Sequence, residues 1–139
     1  MELAVEERKK LNRIADRHGI SLILLFGSAL TGKRHAGSDL DIAVLFRKER
    51  SPTSPEYSEL VHGFQKIFPD QPVDLSIINH ADPLILKKIT ENCRLLYGAP
   101  GRLMELKIYT FKRYQDHRRY FEMERQYVEQ LLKRTGMAS

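Results

Sequence analysis

The chain has 139 residues, of which 42% are apolar and 29% charged, with a net charge of +5 and one cysteine. That size suits a single domain with its own core over about 1–101 and a long C-terminal helix over about 102–134. The longest apolar runs, 22–26 and 42–46, are too short for a bilayer span, the charged N-terminus shows no signal-peptide pattern, and the lone Cys93 excludes an internal disulfide. A cytoplasmic protein is therefore expected. The basic balance, with pI near 9.4, suits an anionic partner (a nucleotide, RNA or an acidic protein) or simply a solvated surface, and does not choose among them.

Residues 1–18 read as an amphipathic helix with Ala4, Leu11, Ile14 and Ala15 near one face. Gly19 stands where a helix stop belongs, with His18 a plain helix-end residue. Residues 20–26, dense in Leu and Ile, predict a buried strand.

The segment that follows, 27–41, invites two misreadings. Gly27, Gly32 and Lys33 have the spacing of a Walker A phosphate loop, but Arg34 stands where that loop needs a hydroxyl for its magnesium. No helical period continues from Lys33, as that loop also requires. The Asp-x-Asp of haloacid dehalogenase-type phosphatases ends an apolar strand, whereas Asp39-Leu40-Asp41 precedes one. Strand alternation instead puts Asp39 and Asp41 on one side, with Leu40 and Ile42 opposite. Paired carboxylates repel when ionised, and a divalent cation relieves them; oxygen donors suit magnesium or manganese. The plainer alternative is an exposed acidic turn entering a strand.

Residues 47–55 form a polar loop. Ser54-Pro55-Glu56 begins a helix whose packing face is Leu60, Val61, Phe64, Ile67 and Phe68, and 69–72 ends it. Residues 73–78 predict a third strand with Val73, Leu75 and Ile77 on one face, leaving Asp74 as an acid among core residues or a plain strand-edge aspartate. Asp82-Pro83 caps a helix to about Asn92, 93–97 is a short strand, and 98–101 ends it. From 102 to 133 no proline or glycine intervenes, so one helix of roughly 45 Å is expected at 1.5 Å per residue. Leu106, Tyr114, Phe121, Val128 and Leu132 recur along it among Lys112, Arg113, Arg118, Arg119 and Arg125. That surface either packs on the sheet or projects toward a partner or a second copy of the chain, giving a homodimer.

Gly27-Ser28, ten residues, and then Asp39-x-Asp41 resembles the signature of the DNA polymerase β-like nucleotidyltransferase superfamily, most closely its minimal (MNT) branch. The resemblance covers roughly the first hundred residues. It implies an α/β nucleotidyltransferase fold, a small mixed sheet flanked by helices. It also implies that Gly27, Ser28 and Ser38 hold the nucleotide, and that Asp39 and Asp41 bind two Mg2+ ions (or Mn2+), with Asp74 as the third acid. The implied activity moves a nucleoside monophosphate, AMP from ATP, to a hydroxyl and releases pyrophosphate. MNT proteins are antitoxins to helical HEPN-type ribonuclease toxins, and some AMPylate a toxin tyrosine, so an NTP and such a toxin are the expected partners. Two alternatives stay open: a small hydroxylated acceptor, and an antitoxin that masks its toxin without chemistry. The chain has no room for a template-binding domain, and neither nucleic-acid nor membrane binding is expected.

Overall fold

The computed structural model describes residues 2–27, 30 and 38–136. The elements run α1 (Val5–His18), β1 (Ile20–Phe26), β2 (Leu40–Phe46), α2 (Ser54–Ile67), β3 (Val73–Ile77), α3 (Pro83–Glu91), β4 (Cys93–Tyr97) and α4 (Pro100–Arg134). The strands form one mixed sheet in the order β3-β2-β1-β4. β1 pairs antiparallel with both β2 and β4, while β2 and β3 are parallel, with α2 as the crossover that a parallel pair needs.

Period-two alternation along β2 divides the interior. Leu40, Ile42, Val44 and Phe46 join Leu11 and Ala15 of α1 and Leu60, Phe64 and Ile67 of α2 in one core. Ala43 and Leu45 join Leu22 and Leu24 of β1, Leu86 and Ile89 of α3 and Leu106 of α4 in the other. Helices thus cover both faces, which is why the central strands are almost wholly apolar. Asp41 breaks that pattern on the α3 face.

Local chemistry sets the helix ends. α1 begins at Val5, not at residue 1, because the Glu7 carboxylate accepts the Ala4 N–H at 2.8 Å, which makes Ala4 the cap. It stops at Gly19, whose φ of 67° is the left-handed turn that glycine adopts without strain. Thr53, one residue before the expected Ser54, caps α2 by accepting the Glu56 N–H at 3.3 Å. Asp82 caps α3 as its sequence predicts, accepting from Leu84 and Ile85 at 2.9 and 3.0 Å. Pro100 and Gly101 open α4 instead of ending β4, since proline at a helix start sacrifices no intrahelical hydrogen bond.

Two side-chain clusters secure the frame. Asn79, just past β3, accepts the Phe46 N–H at 2.8 Å and donates to the Phe46 carbonyl at 3.1 Å, extending the β2 ladder. On the opposite face Glu56 accepts two bonds from Arg50, at 2.6 and 2.9 Å, and meets His18 Nδ1 at 3.0 Å. Arg50 also donates to the His18 carbonyl and lies over the Phe46 ring. His18 is therefore more than a helix end. The Arg50 hydrogen bonds, helped by His18, lower the Glu56 pKa to about 2.

α4 is 35 residues long, about 52 Å. Its first third packs on α3 and the sheet, with Leu106 and Thr110 buried. Beyond residue 117 every described position is exposed, including Phe121, Val128 and Leu132. The sheet-packing alternative holds for the root of this helix and fails for its far half. No helix among the described residues is long and apolar enough to cross a membrane.

Candidate active site

Asp41 is the second residue of β2. Its Cα pairs with Phe26 of β1 on one side and with Asp74 of β3 on the other. Because the β2–β3 pair is parallel and in register there, the two carboxylates arise side by side. Both share the α3 face, while Leu40, Ile42 and Leu75 point into the opposite core. A cleft of about 360 Å³ is lined by Phe26, Gly27, Asp41, Asp74, Ser76, Ile85, Lys88 and Ile89.

Gly27 is required by two facts. Its φ is 80°, a left-handed conformation that side-chain-bearing residues rarely adopt. A Cβ there would also overlap the Asp41 carboxylate, which lies against the glycine backbone. The turn from β1 and the acid at the start of β2 are thus fitted to one another.

Burial raises the Asp41 pKa most, followed by the charge and hydrogen bonding of Asp74 and the charge of Asp39; Lys88 opposes them. The arrangement is electrostatically unfavourable when empty and improves when a cation enters. Among the described residues no three His, Cys, Asp or Glu side chains stand close enough to hold an ion unaided. Two adjacent carboxylates with oxygen-only donors nonetheless fit a hard divalent ion completed by waters and substrate phosphates.

Of the residues singled out from sequence, Gly27, Asp41 and Asp74 come together in the cleft. Asp39 lies exposed just before β2, close enough for its charge to act on Asp41. Ser38 is half-buried beside it. Ser28, and with it Lys33 and Arg34, falls outside the described residues. Ser76 and Lys88 were not anticipated. Ser76 follows Asp74 by two on the same strand, and Lys88 stands at i+3 from Ile85 and one residue before Ile89, so ordinary periodicities group each with its neighbours without locating the cleft.

The four-stranded mixed sheet carries its acidic pair on β2 and the neighbouring edge strand β3, and the chain belongs to the polymerase β nucleotidyltransferase family, whose sequence profile matches residues 9–100. Membership implies a nucleotide substrate and a divalent metal ion. Among curated proteins, the chain is 31% identical over 90 residues to the protein adenylyltransferase MntA of Aphanizomenon flos-aquae, covering 59% of each. It is 37% identical over 60 residues to a relative from Methanocaldococcus jannaschii, covering 43% of this chain and 60% of that one. The chain therefore spans about three fifths of the length of these relatives.

Among solved structures, a toxin–antitoxin with AMP-PNP superposes with a TM-score of 0.68 at 24% identity, covering 91% of this chain and 98% of that one. A tri-AMPylated Shewanella oneidensis HEPN toxin in complex with an MNT antitoxin gives 0.62 at 22%, covering 92% and 97%. Spectinomycin adenyltransferase from Enterococcus faecialis, with ATP and spectinomycin, gives 0.53 at 17%, covering 75% and 59%. At these identities the likeness establishes the shared fold.

Proposed function

We propose that this protein transfers AMP from ATP to a tyrosine hydroxyl of a HEPN-type toxin and serves as that toxin's antitoxin. The observation that carries the reading is the in-register pair Asp41 and Asp74 beside Gly27, in a cleft open to solvent. The adenylyltransferase relative supports the nucleotide, and the AMPylated toxin of the Shewanella complex supports the acceptor.

Asp39, Asp41 and Asp74 are the residues that would hold two Mg2+ ions, with Mn2+ a workable substitute. Such ions lower the pKa of an acceptor hydroxyl and neutralise charge on departing pyrophosphate. Gly27 leaves the backbone open to close approach by phosphate, and Ser28 and Ser38 take the nucleotide-holding roles that family resemblance gives them. In the transfer, the tyrosine oxygen bonds to the α-phosphorus as the bond from that phosphorus to the oxygen bridging to β breaks. Pyrophosphate leaves with the electron pair. Asp74, exposed on the edge strand, is the acid we assign to take the hydroxyl proton, either directly or by ligating the metal that activates the hydroxyl. Positioning and fixed charge supply most of the acceleration.

The test is to mix the protein with a HEPN-type toxin, with and without α-phosphate-labelled ATP, and to weigh the toxin. A gain of AMP that disappears in the Asp39→Asn, Asp41→Asn double variant supports the reading. Neutralisation of the toxin at unchanged mass assigns a masking antitoxin instead.

A further inference from the structure

The wall of the cleft opposite the acids belongs to α3. Ile85, Lys88 and Ile89 occupy one helical face there (i, i+3, i+4) and line the same space as Asp41 and Asp74. Lys87, the preceding residue, is committed elsewhere: it binds Glu91, and its ammonium lies 4.9 Å from the centre of the Tyr114 ring. Lys88 is the one cationic side chain among the described residues lining the cleft, and it is exposed.

We propose that Lys88 is a nucleotide-positioning residue whose ammonium partly offsets the charge of the Asp41–Asp74 pair while the cleft is empty and pairs with the triphosphate when a metal–nucleotide complex occupies it. The proposal rests on the nucleotidyltransferase reading above and adds the residue that holds the phosphates from the helix side. Two carboxylates arising in register repel one another, and the charge of Lys88 opposes that effect at Asp41 through space. A divalent ion brings its own positive charge and makes the ammonium redundant as a counter-ion. A compact charge on a four-carbon stem, with three donors, can then reach a phosphate without moving the backbone.

This double duty predicts effects of opposite sign. Toward a metal ion alone, Lys88 is a like charge and weakens binding; toward a metal–triphosphate it is an opposite charge and strengthens it. A lysine with a merely structural role changes both affinities in the same direction, or neither. The experiment titrates Mn2+ alone by electron paramagnetic resonance and Mg2+·AMP-PNP by calorimetry, on wild type, Lys88→Gln and Lys88→Arg. Lys88→Gln is expected to bind Mn2+ alone about two- to fivefold more tightly and Mg2+·AMP-PNP about three- to tenfold more weakly. Lys88→Arg, which keeps the charge, should stay within about twofold of wild type for both. Unchanged nucleotide affinity in Lys88→Gln, or parallel weakening of both ligands, overturns the proposal while leaving the functional reading in place. Wild-type protein that binds neither Mn2+ nor the nucleotide removes the functional reading and the role of Lys88 with it.

Discussion

Asp41 and Asp74 face one another across the parallel β2–β3 pair, their Cα atoms in register and their carboxylates on the side covered by α3. Nothing in folding requires this. Burial and the neighbouring acids both disfavour the charged form of Asp41, Lys88 offsets this only in part, and a bound cation would relieve the rest.

Relief should therefore be measurable without any substrate. Asp41→Asn removes the charge that burial and the neighbouring acids disfavour. The variant is expected to melt about 1–4 °C higher than the metal-free wild type, while losing AMP transfer. Thermal denaturation with and without Mg2+ checks this: the ion should stabilise wild type and leave the variant nearly unmoved. A lower melting temperature for metal-free Asp41→Asn would contradict the account.

Gly27→Ala introduces both a strained φ and a Cβ into the space of the Asp41 carboxylate. Loss of about 1–3 kcal/mol is expected from the backbone alone. The displaced acid should also reduce AMP transfer by more than tenfold at a temperature where the variant remains folded. Urea denaturation together with initial rates separates the two effects.

The Glu56 cluster gives a pH dependence of definite sign. A native pKa of about 2 lies below that of a glutamate in the unfolded chain, near 4.3. The folded state therefore binds fewer protons in this range. The stability from Arg50 and His18 is complete above roughly pH 5 and is lost as pH falls toward 2. Glu56→Gln should flatten that part of the stability–pH curve and lower stability at pH 7; urea midpoints between pH 2 and 7 measure both.

Asn79 substitutes for a missing strand partner at the end of β2. Asn79→Ala leaves the N–H and carbonyl of Phe46 without it and is expected to cost about 1–3 kcal/mol. Hydrogen exchange at Phe46 should accelerate far more than at Val44.

Removing the chain after Arg118 takes away only exposed described residues. The melting temperature should stay within about 2 °C of wild type, because the buried anchors Leu106 and Thr110 remain. A larger drop in calorimetry would mean that the distal helix supports the domain.

Much of this frame was legible because its signals are local. Alternation on β2 marked the face of Asp41, the Gly27-Ser28…Asp39-x-Asp41 spacing marked Gly27, and Asp82-Pro83 marked α3. Asp74 was harder, since its meaning depends on a register with a strand more than thirty positions earlier in the chain, and no local pattern encodes which residues end up side by side. Lys88 escaped for the same reason: helical spacing groups it with Ile85 and Ile89 but does not say that their shared face meets two acids. Asn79 carried no sequence signal, and only the structure shows its side chain completing a ladder. Pro100-Gly101 reads as punctuation, and only the path of the chain shows that it starts a helix.

α4 is gripped at one end and free at the other, and the element it lies against is α3, the same helix that walls the acidic cleft. Geometry makes such a rod a lever with a short arm inside the domain and a long arm outside it. Anything held at the distal end would therefore lie well clear of the acidic cleft while staying joined to its wall through one continuous helix.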